Sequence, residues 1–381
     1  MATNKNITMK QFNGVDYDIL YPKTIASQVN DVYSKSETLS NFTQSIMGLG
    51  NDATPDDAFL ALFIGAGTYG YQVKIQLADG TPVEGATVSG INAFTGSTLV
   101  SGADGIVFGK STSKTVTISC TSPYIDQAAP ASQSVTATGT ITDVTLTLTN
   151  ITGMITVTSS KATKVSSMAK TMDVTAVGGG GGGGGYNQNS RYDGAGAGGG
   201  GGYVSTKIGV ECADKLLKIT IGGRGWGSNY ADGNVSAGGN GGDTSLQIDG
   251  VSALTANGGK GGAGGSSGPT AGGSGNGSGG NGGRYSDVAQ PGGSGSGYIF
   301  NDTSLGLAGG GGGGGGCSDN GTIDAVAKIG GLPYGGKGRT QDGTPSGTSS
   351  SGPGGGGGGA GGINGNGGAG GSGQMYLRFH F

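Results

Sequence analysis

Residues 177–186 read Val-Gly-Gly-Gly-Gly-Gly-Gly-Gly-Gly-Tyr, and the glycine run at 178–185 decides the fold of the C-terminal half of the chain. Further runs occur at 311–316 and 354–359. Of the 92 glycines in the chain, 15 precede residue 178, which leaves 77 in the remainder. Such a density excludes an ordinary core of packed side chains in this part of the chain, because glycine has no side chain to bury.

The default interpretation of glycine-rich sequence is a flexible linker, because glycine loses the most backbone freedom on folding. Short alternating apolar segments oppose this interpretation, because they predict β-strands that a linker does not need. Together with the strands that bracket the glycine region, they predict a closed, ordered domain over 151–381. The segments are 202–208, 216–221 and 244–248 within the glycine region, and 171–177 and 375–381 on either side of it.

Glycine runs can be ordered in the polyproline-II conformation, which has three residues per turn and no internal hydrogen bonds. Without side chains, neighbouring runs can approach until the N–H and Cα–H groups of one bond to the carbonyls of the next. We therefore predict a stack of polyglycine-II helices. A collagen helix is excluded, because residues 186–190 break the required glycine at every third place. A flexible linker remains the alternative.

The order of strands and glycine runs resembles the glycine-rich domain of bacteriophage tail fibres and tail-tip adhesins. The resemblance covers residues 151–381 and implies adhesion to a bacterial surface receptor, either a saccharide or a surface protein. It also implies that the loops joining the polyglycine helices make the contact. The segments that carry it are 155–160 (ITVTSS), 174–177 before the first glycine run, 203–204, 216–223 (LLKITIGG) and 373–378 (GQMYLR).

The segment at 12–24 (FNGVDYDILYPKT) resembles the start of tail proteins from phages of Gram-positive bacteria. The resemblance implies attachment to other tail or baseplate proteins and a homo-oligomer, most often a trimer. A short helix is predicted further along, with Thr54 as N-cap, Pro55 at the first helical position and acidic residues at 56–57 in the first turn. We assign residues 1–68 to virion attachment and oligomerisation.

Residues 69–150 have the period of two that is typical of half-buried strands, for example at 71–77 and 144–148. We predict an all-β sandwich of immunoglobulin-like architecture. The segment 79–88 (DGTPVEGATV), followed by Ala-Asp-Gly at 103–105, resembles the carboxypeptidase-regulatory-like and Cna-B-like sandwich modules of surface proteins. The resemblance implies that this module is a spacer.

Charge and hydropathy exclude several partners. The net charge is −3 and the isoelectric point is near 5.1, so no binding of nucleic acid is expected. The longest apolar run, at 58–66, is far shorter than the ~20 residues of a membrane helix, so no membrane insertion is expected. Residues 1–10 lack the apolar core of a secretory signal, so export by that route is not expected.

The sequence offers few groups for catalysis or metal binding. His380 is the only histidine and lies in an alternating segment, which favours a structural role. The segment 222–227 (GGRGWG) precedes no helix and therefore does not predict a phosphate loop. We predict no enzyme, no cofactor and no metal, although a glycosidase pair of carboxylates stays open because sequence gives no distances. The three cysteines have no close spacing and are predicted to be free thiols: Cys120, Cys212 and Cys317.

The inserts between glycine runs contain the residues that could recognise another molecule. Three inserts, at 186–193, 224–232 and 284–287, combine aromatic residues, arginine and small polar residues. This is the composition of antibody combining sites, where rigid rings supply contact area and small polar groups supply adaptable hydrogen bonds. Alternatively, these inserts are solvated turns whose rings cover helix ends. The candidate receptor-binding residues are Tyr186, Asn187, Arg191, Tyr192, Arg224, Trp226, Asn229, Tyr230, Arg284 and Tyr285.

Together, these observations predict a mainly β protein: an attachment segment with a short helix, a β-sandwich, and packed polyglycine-II helices with interspersed strands. The resemblance implies a phage tail fibre or tail-tip protein, located in the virion tail, that binds a host receptor. Two alternatives stay open. One is a structural tail component with a glycine-rich spacer and no receptor site. The other is a polyglycine ice-binding protein, although the strict Gly-x-x register and threonine-rich face of such a bundle are missing.

Overall fold

The computed structural model shows a mainly β protein with several sheets. The described residues form two compact units: one contains the residues up to Thr121 together with Ala129–Leu148, and the other contains Ser122–Ala128 together with Thr149–Phe381. The helix and attachment segment predicted within 1–68 lie, except for Thr68, outside the described residues. The described ranges are 68–93, 98–138, 141–186, 195–229, 236–265, 270–283, 289–316, 329–339, 346–361 and 365–381.

Within the described ranges, the strands form five sheets across the two units. They are β1 (Tyr69–Gln76), β2 (Thr87–Ser89), β3 (Leu99–Val100), β4 (Ile106–Ser111), β5 (Thr115–Cys120), β6 (Gln127–Ala128), β7 (Gln133–Thr136), β8 (Ile141–Thr147), β9 (Thr149–Asn150), β10 (Ile155–Val157), β11 (Lys161–Lys164), β12 (Thr171–Val177), β13 (Val204–Glu211), β14 (Leu216–Thr220), β15 (Thr244–Ile248), β16 (Val251–Ala256) and β17 (Gln374–His380).

The first unit contains the sheets β4-β1-β8 and β3-β2-β5-β7. The central strand β1 is antiparallel to β4 and parallel to β8. Along β1, Val73 and Ile75 are fully buried while Lys74 between them is exposed, as a strand with one apolar face requires. On the other sheet, β5 buries Ile118 and Cys120 in the same alternating way. Each sheet of the first unit therefore has one apolar face.

The second unit contains the sheets β10-β17-β12-β13 and β11-β14-β15-β16, and a short β6-β9 pair. The strand β17 lies between β10 and β12 and is antiparallel to both. Leu377 of β17, Val174 of β12 and Leu217 of β14 belong to one buried apolar cluster, so the two four-stranded sheets share a core. In this core, side chains rather than backbone are packed together.

Six glycine-rich runs continue directly from strands of these two sheets. Val177 of β12 pairs with Val204 of β13, and one residue later the N–H of Gly178 donates to the carbonyl of Tyr203 at 2.9 Å. On the other side, β12 pairs with β17, and the same pairing continues into the glycine runs that adjoin these two strands. Strand pairing therefore sets the register of glycine runs that have no side chains to set it themselves.

The hydrogen bonds of the run 178–185 repeat every three residues. Its N–H groups donate in turn to three neighbouring runs, and its carbonyls accept from three others. A strand bonds to neighbours on only two sides, so this run is held differently from a strand. The donors Gly178, Gly181 and Gly184 bond to Tyr203, Gly200 and Ala197; Gly179, Gly182 and Gly185 to Gly242, Gly239 and Ser236; Gly180 and Gly183 to Gly371 and Gly368. The acceptors Gly179, Gly182 and Gly185 bond to Gly259, Gly262 and Gly265; Gly180 and Gly183 to Gly225 and Ser228; Gly181 and Gly184 to Gly357 and Ala360.

Four inner runs are buried along their whole length, and the remaining runs surround them. Side chains are excluded from the inner runs: a Cβ at Gly182 would overlap the carbonyl of Trp226, and one at Gly183 would overlap that of Gly358. The bundle is therefore a core made of backbone. The inner runs are 178–185, 195–202, 309–316 and 354–361; the outer runs in the described residues are 222–229, 236–243, 257–265, 270–276, 277–283, 289–297, 329–332, 335–339, 346–352 and 365–373.

Candidate functional site

The described residues on either side of the inserts lie at one end of the bundle, which we call the loop end. Near this end, the N–H of Gly185 donates to the carbonyl of Ser236 at 3.2 Å, and the carbonyl of Gly185 accepts the N–H of Gly265 at 2.9 Å. The residues that flank different inserts are thus hydrogen-bonded to one another. The loop end is formed by residues 186, 195, 229, 236, 265, 270, 283, 289, 316, 329, 339, 346, 361 and 365, at which the described chain stops or resumes.

Further hydrogen bonds connect several of the other flanking residues, or residues next to them, at the same level. The inserts 187–194, 230–235 and 284–288, which contain most of the predicted recognition residues, therefore start and finish at a common end of the bundle. Their separation in sequence does not indicate this proximity. The connecting bonds are Tyr186 to Gly365 (3.0 Å), Ala195 to Gly283 (2.8 Å), Gly283 to Gly316 (3.0 Å), Gly316 to Gly196 (3.1 Å), Gly196 to Ala360 (3.0 Å) and Arg339 to Gly359 (3.3 Å).

The opposite end of the bundle is held by the sheets and by short turns. There the segment Ile299–Asn301 forms one turn of 3-10 helix, and Thr303–Leu305 forms another. The N–H of Phe300 donates to Oγ1 of Thr175 at 2.8 Å, and the Phe300 ring packs in a buried apolar cluster on the outer side of β12 and β17. One end of the bundle is therefore fixed to the strands, and the other end carries the inserts.

The structure describes four of the ten predicted receptor-binding residues, and it corrects one of them. Tyr186 is only 3% exposed, and its N–H donates to the carbonyl of Gly365. The tyrosine ring is therefore packed at the end of the bundle, so Tyr186 is not displayed to a partner as the sequence suggested. The candidates outside the described residues are Asn187, Arg191, Tyr192, Tyr230, Arg284 and Tyr285.

Arg224, Trp226 and Asn229 are exposed and lie on the outer run 222–229. This run is held by its buried positions: Gly225 donates to Gly180 at 2.8 Å and Ser228 donates to Gly183 at 3.0 Å. The side chain of Trp226 is directed outward and is 65% exposed. The guanidinium carbon of Arg224 lies 4.5 Å from the centroid of the Trp226 ring, in cation–π geometry. A large ring and a cation are thus presented together on the bundle surface.

Polar side chains on the outer runs accept N–H groups of neighbouring runs, a role that the sequence did not reveal. Oδ1 of Asn240 accepts from Gly261 at 3.0 Å, and Oδ1 of Asp243 accepts from Gly258 at 2.8 Å. The three-residue spacing of Asn240 and Asp243 equals the repeat of the backbone bonds, which is the signal that could have identified them. Others of this kind are Asn281 with Gly272, Ser346 with Asn366 and Ser349 with Ala369.

A buried carboxylate lies at the opposite end, on the outer side of β12. Asp173 is 2% exposed and accepts from Arg378 Nη2 at 2.7 Å, from His380 Nε2 at 2.9 Å and from the N–H of Gly209 at 3.0 Å. Burial alone would raise the pKa of Asp173, but these three donors together hold the pKa below its usual value. The arrangement joins β12 to β17 and to β13, so we assign Asp173 and His380 a structural role.

Two of the three cysteines are in the described residues, and both are buried free thiols. Burial raises the pKa of Cys212 to about 12 and also raises the pKa of Cys120. Thiols with raised pKa values are poor nucleophiles at neutral pH. Cys120 and Cys212 are therefore packing residues, while Cys317 lies outside the described residues.

The fold defines a class of mainly β proteins in which packed sheets anchor hydrogen-bonded glycine runs. The residues that flank the inserts between these runs lie at one end of the bundle. The chain belongs to the glycine-rich domain family, which matches residues 156–380. A solved structure of a streptococcal ancillary pilin is similar to 40% of this chain at 11% identity, with a TM-score of 0.20. The match spans about half of the pilin chain, at 52%. Among curated proteins, none matches the sequence. Across the described ranges, no helix is long and apolar enough to cross a membrane.

Proposed function

We propose that the protein is a phage tail fibre or tail-tip adhesin that binds a bacterial surface receptor, a saccharide or a surface protein, at the loop end. The observation that carries this proposal is that the described residues flanking the inserts lie together at one end of the bundle. A glycine surface displays only backbone, so chemical specificity must come from the inserts. Inserts that share one end can contact a single partner together, as recognition loops on a rigid scaffold do.

We propose further that the glycine runs are polyglycine-II helices. The three-residue repeat of the hydrogen bonds around 178–185 supports this conformation, because it has three residues per turn. A Cβ at Gly182 would overlap a neighbouring carbonyl, so a Cα–H group points at that oxygen and can donate a weak hydrogen bond. Such helices give a stiff scaffold, because each inner run is held by neighbours on every side.

The remaining parts of the chain have supporting roles in this proposal. The β-sandwich predicted over 69–150 spaces the glycine domain from the rest of the tail. Residues 1–68 attach the protein to other tail or baseplate proteins and form its homo-oligomer, with three copies as the expected number. Neither an enzyme activity nor a cofactor is part of this function, and the expected location of the protein is the virion tail.

Adsorption to bacteria tests the function. Fluorescently labelled full-length protein is incubated with a panel of Gram-positive and Gram-negative cells, beside a variant whose residues 187–194 are replaced by glycine and serine of equal number. The matched control is Leu305→Ala, because Leu305 is exposed at the opposite end of the bundle. We expect the insert variant to lose adsorption at least tenfold and the control to keep it.

Two outcomes would contradict the proposal. Equal loss in the insert variant and in Leu305→Ala would show that the loop end has no special part in adsorption. Absence of adsorption to every member of the panel, with the folded parent protein, would instead favour a structural tail component without a receptor site.

A further inference from the structure

We propose that the exposed face of the outer run 222–229 binds acidic saccharides, that is, sugars that carry a carboxylate. This inference rests on the proposed receptor-binding function and names the ligand class of one surface. The inference is based on backbone N–H groups without protein acceptors that lie next to the Arg224–Trp226 pair.

The run 222–229 presents backbone donors to the outside. Within the described part of the chain, the N–H groups of Gly223, Arg224, Trp226 and Gly227 donate to no protein atom. Space is open at this face, since a Cβ built on Gly223 would have no atom within 4 Å. The carbonyls of Gly223 and Trp226 are already used, because they accept N–H groups of the run 236–243 at 2.8 Å. The carbonyls of Arg224 and Gly227 accept from no described protein atom, so the face offers four backbone donors and two backbone acceptors and suits a ligand with more acceptors than donors.

The protein itself shows which acceptors fit such backbone donors. Elsewhere on the bundle surface, the carboxylate of Asp243 accepts the N–H of Gly258 at 2.8 Å. A hydroxyl oxygen does the same for Ala369, where the acceptor is Ser349 at 3.3 Å. Carboxylate and hydroxyl oxygens occur together, on a rigid ring, in acidic sugars. A sugar chain lying along the run could therefore supply the oxygens that side chains supply on other runs.

The side chains of the run favour a ligand that has a negative charge and a sugar ring. Trp226 is 65% exposed, and a large flat ring of this kind packs against the C–H face of a pyranose. Arg224 lies over the tryptophan ring at 4.5 Å, which leaves its planar donors free to bind a carboxylate in bidentate fashion. The sequence of 222–229, GGRGWGSN, contains one positive and no negative side chain. Charge complementarity therefore favours an acidic sugar over a neutral one.

The single tryptophan makes the test direct. Because Trp226 is the only tryptophan in the chain, the tryptophan fluorescence of the full-length protein reports on this face alone. The probe is the trimer of galacturonic acid, and the matched neutral ligand is a trimer of galactose. We expect the acidic trimer to shift the emission of Trp226, to protect it from acrylamide quenching, and to bind at least tenfold more tightly than the neutral trimer. Added salt should weaken the acidic trimer selectively.

Two variants at one position isolate the backbone donor. Gly223→Pro removes one unused N–H, whereas Gly223→Ala keeps it, and the Cβ of either variant enters open space. We expect Gly223→Pro to weaken the acidic trimer about three- to tenfold and Gly223→Ala to leave it unchanged. Arg224→Ala should abolish the preference for the acidic trimer over the neutral one, measured by fluorescence or calorimetry.

The outcomes separate this inference from the function on which it rests. Three outcomes would each contradict the saccharide site. They are no protection of Trp226 by the acidic trimer, equal affinity for both trimers, and equal binding by Gly223→Pro and Gly223→Ala. If the protein nevertheless adsorbs to bacteria through residues 187–194, the receptor-binding function stands without it. Binding of the acidic trimer with the expected variant pattern supports the site whether or not any tested bacterium is recognised.

Discussion

Asp173 and Arg378 lie opposite each other on neighbouring strands, although 205 residues separate them in the chain. Nη2 of Arg378 donates to Oδ2 of Asp173 at 2.7 Å, and Nε donates to the same oxygen at 3.1 Å. Because β12 leads into the first inner run and β17 comes after the last outer run, this pair joins the start of the glycine bundle to its finish. A buried carboxylate is costly without partners, so the pair favours one register of β12 and β17 over others.

Replacing the carboxylate tests its contribution to stability. We expect Asp173→Asn to lower the free energy of unfolding by about 1–3 kcal/mol, because the buried carboxylate loses its charge and Arg378, which is 36% exposed, keeps only a neutral acceptor. The matched control is Asp249→Asn, which breaks an ion pair with Lys215 in which both side chains are 46% exposed. Exposed pairs contribute little, so the control should unfold like the parent. Denaturant unfolding of the full-length protein measures both, and an equal effect of the two variants would contradict the assignment.

The same pair predicts a dependence on pH. Hydrogen bonds from Arg378, Gly209 and His380 outweigh the effect of burial and hold the pKa of Asp173 below its usual value. A lowered folded-state pKa gives stability that is present above the unfolded pKa, about 4, and is lost as the pH falls through the folded pKa. We therefore expect the difference in unfolding free energy between the parent and Asp173→Asn to be present at about pH 5 and to shrink below about pH 4. A difference that does not change at about pH 3 would contradict this prediction.

The sequence predicted the strands better than it predicted their partners. The alternating segments at 171–177, 216–221 and 244–248 are strands in the structure, because alternation is a local signal of a half-buried strand. β16, which continues into the run 257–265, was not predicted, and neither was the role of Asp173. Pairing across 205 residues leaves no local pattern, and glycine runs carry no side chains from which a neighbour could be inferred.

The candidate site was predictable in composition but not in position. Arg224 and Trp226 are exposed on the outer run 222–229, since bulky residues cannot enter the space between touching glycine backbones. Tyr186 was predicted to bind the receptor on the same compositional grounds. It is buried instead, because it continues the inner run that begins at Gly178. The residues that flank the inserts meet at the loop end because neighbouring runs alternate in direction. Only the hydrogen-bond register shows this alternation.

Two glycines with different surroundings test the backbone core. A side chain at Gly182 would overlap the carbonyl of Trp226, whereas one at Gly223 would enter open space. We expect Gly182→Val to destabilise the domain by about 3 kcal/mol or more, since neighbouring runs would have to separate, and Gly223→Val to leave it nearly unchanged. Thermal unfolding followed by far-UV circular dichroism gives both values. If the two variants melt together, close packing of the runs does not stabilise the bundle.

Oligomerisation is predicted to reside in residues 1–66, which precede the described residues. The sequence places Phe59, Leu60, Leu62 and Phe63 close together in a segment too short to bury them alone, which favours cover by a second copy. Light scattering of the protein without residues 1–66 should give the mass of a single chain, while the full-length protein should give a multiple of it. An unchanged multiple in the shortened protein would place the contact elsewhere.

Trp226 is the residue on which receptor binding is expected to depend most, and its exposure makes the expectation testable without loss of the fold. Its side chain is 65% exposed and contacts Arg224, so Trp226→Ala should unfold at the same denaturant concentration as the parent. Loss of an aromatic anchor at an interface costs about 2 kcal/mol or more, which corresponds to about 30-fold weaker adsorption to host cells. Tyr192→Ala, in the insert 187–194, is measured beside it and should also weaken adsorption, because both residues are among the candidate receptor-binding residues of the sequence. If Trp226→Ala is folded and adsorbs as well as the parent, Trp226 is not part of the site; if it fails to fold, its ring stabilises the run 222–229 instead.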